Sequence, residues 1–237
     1  MSERTTDGAK IALAALFVTG LVTAQLLAVK LLAFSLPGSF PIVESSITVP
    51  AGVLAYAVTF VASDCYTELY GRQEATVMVN VGFMMNFVML GLVWLAIVAP
   101  GSEQGVDPAT FESVLGLSTN IVVGSLAAYL VSQNWDVFVF DRIRTKTDGR
   151  HLWLRNLGST ATSQFIDTAI FVLMAFYLVP QIAGIGNVSS ASLLLQLLVG
   201  QYIIKLGIAA LDTPVVYTIV SYLRANGMAP SARPVAT

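Results

Sequence analysis

Two tetrapeptides carry the same polar pair inside apolar surroundings. "QNWD" holds Gln133 and Asp136, and "QFID" holds Gln164 and Asp167. A spacing of three places both groups on one face of a helix. A carboxylate beside a carboxamide can accept two parallel hydrogen bonds from an amidine-like edge, while the amide serves a neighbouring carbonyl. A guanine-like base fits that description, as do other flat polar solutes. The same amides are also common connectors between membrane helices. Trp135, Phe138, Phe165 and Tyr202 could cover a flat ring, or anchor helix ends at an interface. Further on, Gln201, Lys205 and Asp212 follow at intervals that keep all three in one helical stripe. Pro214 lies just beyond and deprives the Ala210 carbonyl of its helical donor.

These groups must be held by elements that sit in oil. The 237 residues are 56% hydrophobic and 11% charged, with a mean hydropathy of +0.76. Ordinary soluble domains are roughly 45–50% apolar and about 25% charged. The composition therefore implies an all-α integral membrane protein. Apolar runs at 10–34, 47–69, 76–99, 112–140, 158–180 and 192–223 predict a six-transmembrane-helix bundle forming a single domain over 1–237. The first run is too long for a signal-peptide core and is kept as a span.

Lysine and arginine fix the expected orientation. "PGSFPIVESS", "PGSEQGVDPATFES" and "PQIAGIGNVSSAS" hold none, whereas Arg4, Lys10, Arg72, the five cations of "DRIRTKTDGRHLWLR", Arg224 and Arg233 fall on the other side. The positive-inside rule then puts both termini in the cytosol. Three spans per half also permit a 3+3 inverted repeat.

An ionisable group within a span costs several kcal/mol unless paired or hydrated, so each is a candidate for function. At 1.5 Å per residue, Asp167 and Lys205 come out near the midplane, and Asp64, Asp136 and Asp212 in the cytosolic third. Lys30 lies near an outer end, where a snorkelling lysine is the plain alternative. An ion pair between Asp167 and Lys205 could simply lock two helices. Asp64 and Glu68, one turn apart, could equally be a solvated helix end.

Three blocks, "SDCYTELYGRQEA" (63–75), "HLWLRNLGSTATSQFIDTAIF" (151–171) and "LDTPVVY" (211–217), resemble the queuosine precursor transporter family, also described as vitamin uptake transporters. The likeness runs through all six expected spans. It implies import of a 7-deazaguanine precursor, the cyano or aminomethyl form, for transfer RNA modification. It also implies a place in the cytoplasmic (inner) membrane. Carried over by position, it points to Asp64, Glu68, Tyr70 and Gly71, to Arg155, Asn156, Ser159, Gln164 and Asp167, and to Asp212, Thr213 and Pro214. Cys65 stands where the pattern suggests an aliphatic or small residue.

On this reading Asp167 with Gln164 binds the amidine edge of a nucleobase-like solute. Lys205 balances the carboxylate in the empty site, and Asp136 and Asp212 line the cytosolic exit. Arg155 is either a site residue or a topology anchor.

Other classes are disfavoured. A net charge of −2 offers no basic surface for nucleic acid. One cysteine and one histidine suggest neither a disulfide nor a metal site, and no cofactor is implied. The absence of His-Glu-x-x-His and Gly-x-Ser-x-Gly argues against an enzyme. The alternative to a self-sufficient carrier is a solute-binding membrane component served by a separate ATP-driven partner. A homo-oligomer is compatible with either.

Overall fold

The computed structural model describes residues 3–40, 44–146 and 152–229, with some side chains inside those ranges left out. The chain is mostly helical. In order come α1 (Glu3–Leu27), β1 (Leu31–Phe40), β2 (Glu44–Pro50), α2 (Gly52–Tyr70), α3 (Arg72–Val98), α4 (Pro108–Leu115), α5 (Ser118–Lys146) and α6 (Leu152–Leu173). A π-helical turn (Met174–Leu178), α7 (Val179–Ala183) and α8 (Ala191–Ala225) complete it.

Among the described residues five helices are long and apolar enough to cross a membrane: Asp7–Leu27, Arg72–Val98, Pro108–Trp135, Ala161–Ala183 and Ala191–Ala225. The protein is thus a multi-pass membrane protein. The remaining long helix, α2, has 19 residues, and Asp64, Thr67 and Glu68 make its last turns polar.

The expected all-α fold needs correcting at one place. The runs 10–34 and 47–69 were read as helix throughout, but residues 31–50 contribute an antiparallel hairpin pairing Leu31 with Pro50 through Ser35 with Ser46. An apolar run cannot by itself separate a strand from a helix. Here Pro37 disfavours helix, while Ile47, Thr48 and Val49 suit a pleated surface. The Ala51 N–H donates to the Lys30 carbonyl at 2.7 Å, closing the base of the hairpin.

The chain falls into two compact units. The first takes the chain up to Lys30, Ala51–Val93 and the chain from Ile204. The second takes Leu31–Pro50 and Trp94–Ile203.

In the first unit α1 packs on α2 at small residues. A Cβ on Gly52 would stand 2.5 Å from the Ala24 carbonyl oxygen, and one on Gly20 would meet Thr59 at 3.0 Å. On α3, Gly82 lies against Phe17 and Leu21. The buried positions of α3 are Ala75, Met78, Gly82, Asn86 and Met89. Its exposed positions include Val77, Val81, Met84, Phe87, Val88, Leu92 and Leu95. Small and polar residues inside, with large apolar ones outside, is the pattern of a helix facing lipid. Gly71, at φ +90, turns the chain between α2 and α3, a conformation that favours glycine.

In the second unit α5 packs along α6 and the π turn, where a Cβ on Gly124 would reach 2.8 Å from the Ala175 Cβ. Gly200 of α8 sits against β2, close to the Thr48 carbonyl. Pro180 explains the π turn: it has no N–H to offer the Phe176 carbonyl, and that oxygen accepts instead from the Ser189 N–H at 2.9 Å.

Candidate functional site

Three polar settings lie within these apolar elements. The first is in the second unit. Asp167, on α6, is partly buried and accepts a hydrogen bond from the Ser132 hydroxyl of α5 at 3.2 Å. Ser132 is 5% exposed and Thr168, the next residue after Asp167, is fully buried. Gln164 lies one turn before Asp167, and its carbonyl accepts from the Thr168 hydroxyl at 2.9 Å. Phe165 packs edge-on against Tyr202 of α8, with ring centroids 5.8 Å apart, and the Tyr202 hydroxyl reaches the Ala161 carbonyl. A carboxylate has lone pairs enough to accept from more than one donor.

Gln133, in contrast, is exposed on α5. Trp135 and Phe138 pair with each other at 5.9 Å. The side chains of Asp136, Arg155, Asn156 and Ser159 lie outside the described residues.

The second setting is a buried layer in the first unit. Lys205 of α8 is 6% exposed, with its ammonium 5.7 Å from the Tyr56 ring centroid. A cation over an aromatic face is attracted by the ring quadrupole. Gln25 and Thr59 are each 2% exposed. Asn86 is fully buried, and among the described residues neither its amide nitrogen nor its amide oxygen has a partner.

The packing places these groups at similar depth. Lys10 of α1 pairs with Glu74 of α3 at 2.9 Å, and Phe17 and Leu21 meet Gly82, so the two helices run parallel. Gln25 and Asn86 each follow one turn later. Tyr56 lies between the positions where α2 meets Gly20 and Ala24. Lys205 belongs to the first unit and Asp167 to the second, and each is described with its own neighbours.

The third setting is a groove of about 350 Å³ between α2 and α8, lined by Asp64, Thr67, Glu68, Thr213, Tyr217 and Arg224 among others. Glu68 pairs with Arg224 at 3.1 Å, and the same guanidinium donates to the Glu68 carbonyl. Asp64 touches Asp212 carboxyl to carboxyl. The structure thus brings together Asp64, Glu68 and Asp212, which the sequence offered as separate members of a set.

Sequence reasoning missed Gln25, Tyr56 and Asn86. It weighed ionisable groups first, and considered amides only in company with ionisable residues. A lone amide in "FMMNFVML" or "TAQLLAVK" was the available signal.

Residues 50–219 match the family model described as "Putative vitamin uptake transporter". The chain belongs to this family. The matched span of the vitamin uptake transporter family includes Asp64, Asn86, Asp167, Lys205 and Asp212, and so covers groups from all three settings. Among curated relatives, the chain is similar to a "Probable queuosine precursor transporter" of Bacillus subtilis. The two are 33% identical over 72% of this chain and 71% of that protein. It is 27% identical to a protein of the same description from Haemophilus influenzae, over 53% of the chain and 51% of that protein. It is 26% identical to the "Queuosine precursor transporter" of Escherichia coli, over 54% and 56%. No solved structure matches the chain. Vitamin uptake transporters are carriers, not enzymes, and the chain stands with them.

Proposed function

We propose that this protein imports a 7-deazaguanine precursor of queuosine, the 7-cyano or 7-aminomethyl form, into the cytoplasm for transfer RNA modification. The observation that carries this reading is the similarity, over most of the chain, to the relative in Bacillus subtilis described as a queuosine precursor transporter. The residues supply compatible chemistry. Asp167 accepts the two N–H groups of the amidine edge, Gln164 serves the adjoining carbonyl, and Phe165 and Tyr202 offer ring surface. Asp136, Gln133, Arg155 and Asn156 are assigned to the same path by their positions in α5 and α6. In the first unit, Lys205, Asp64, Glu68 and Asp212 are proposed transport residues by their positions in α2 and α8.

The proposal includes six spans in a single transmembrane domain, with α2 as the second, in the cytoplasmic membrane with both termini cytosolic. The cation-free segments then lie outside. Movement of one three-span half against the other would expose the path to each side in turn.

The test is uptake of labelled 7-cyano- and 7-aminomethyl-7-deazaguanine by liposomes containing this protein alone, without ATP, against empty liposomes. Saturable uptake is the expected result. Absence of uptake by folded protein would overturn the self-sufficient carrier. Uptake restored only by an ATP-driven partner would replace it.

A further inference from the structure

The Asp64 carboxyl of α2 and the Asp212 carboxyl of α8 lie beside one another. A bond between two carboxyls needs a proton on one of them, because two ionised groups at that separation repel. Among the described residues neither aspartate forms an ion pair. Of the charged groups on the packed elements, Lys205 lies two turns before Asp212 on α8, against the Tyr56 ring. From α2 come Cys65, fully buried, and Glu68, which is already paired with Arg224 of α8. From α1 the charged groups towards this end are Asp7 and Lys10, the latter held by Glu74.

Asp212 is 5% exposed, and its Oδ1 is buried without a partner. An ionised carboxylate with a bare buried oxygen is costly, whereas the neutral acid leaves only a weak acceptor unmet. Asp64 lines the groove and Asp212 does not. The arrangement is therefore graded, with one carboxyl at the water and its partner behind it.

We infer that Asp64 and Asp212 form a proton-binding site that couples solute import to proton entry. The inference rests on the transport reading above. The pair holds one proton. With the groove open at the end that carries Arg224, the one proton passes from the Asp212 carboxyl to the Asp64 carboxylate, the O–H bond then breaks at Asp64, and water in the groove takes the proton, leaving the pair empty. With the path open to the other side, the pair takes a proton back from water there. Asp64 is the gateway and Asp212 the store.

The test uses the liposomes above. A gradient of one pH unit, acid outside, drives roughly tenfold accumulation if one proton enters per solute. Added solute should in turn acidify the interior, read by a trapped pH dye. Asp64→Asn and Asp212→Asn, which imitate the neutral acid, should abolish the response of accumulation to the gradient. Asp212→Glu should restore part of it. Solute exchange by wild-type protein with no response to a pH gradient overturns the inference while leaving the transport reading intact, as does accumulation that follows a sodium gradient instead.

No exchange at all counts against the transport reading, and the pair is then judged without solute. Infrared spectra near neutral pH should show a protonated carboxyl band that Asp212→Asn removes. A band unchanged by that substitution overturns the site.

Discussion

The two buried aspartate settings differ in what holds the carboxyl. Asp212 faces another carboxyl, and Asp167 faces a hydroxyl. A like partner can be tolerated only with a shared proton, so that pair is built to change its proton count. A hydroxyl can donate to a carboxyl oxygen, and on the proposed reading Asp167 serves as an acceptor for solute. On that reading the same side chain serves two roles in the two settings.

That contrast breaks most easily at Asp167. Asp167→Asn should lower initial uptake by about 10- to 100-fold, since a hydrogen bond to a charged group contributes roughly 1.5–3 kcal/mol. What uptake remains should still respond to a pH gradient, unlike that of Asp212→Asn. If the two variants behave alike in liposomes, the distinction between acceptor and proton site is wrong.

Gly124→Val probes how the acceptor is positioned. A side chain there meets Ala175 and must push α5 from the π turn, which should cost about 1–3 kcal/mol and lengthen the contact between Ser132 and Asp167. Thermal unfolding in detergent reads the first effect and uptake the second; unchanged unfolding would mean that the helices are less closely packed than described.

Asn86→Leu tests a third case, a polar group with no partner at all. Removing an unmet buried amide should raise stability by about 1–3 kcal/mol, seen as a higher unfolding temperature. A lower one would show that the amide is satisfied in the membrane. The smallest effect is expected from Ser132→Ala. Loss of one neutral donor, worth roughly 0.5–1.5 kcal/mol, should slow uptake by only about two- to tenfold.

Hydropathy made much of this architecture legible. The runs 76–99 and 192–223 correspond closely to α3 (Arg72–Val98) and α8 (Ala191–Ala225), because long apolar helices declare themselves by length alone. Residues 31–50 did not, since strand and helix share apolar composition and only pairing across the hairpin distinguishes them. The run 112–140 hid a break at Gly116 and Leu117, where the short α4 ends and α5 begins.

For the candidate site, residue type alone singled out Asp64, Asp167, Lys205 and Asp212. The partnership of Asp64 with Asp212 and of Asp167 with Ser132 was not legible, because each joins residues far apart in sequence through tertiary packing. Asn86 escaped for a different reason. Its neighbours in sequence are apolar, and its oddity appears only once it is seen to be buried with no partner among the described residues.

The π turn at Met174–Leu178 has a consequence for how this sequence can change. Such a turn carries one residue more than an ordinary helix needs. In-frame loss of a single codon there would remove the surplus. The turn would then close as ordinary α-helix with each end keeping its face, whereas loss of a residue from the regular helix between Asp167 and Met174 would turn one end by about 100° against the other. The surplus residue is therefore slack in the chain: it lets length change at this one point without redirecting a carboxylate.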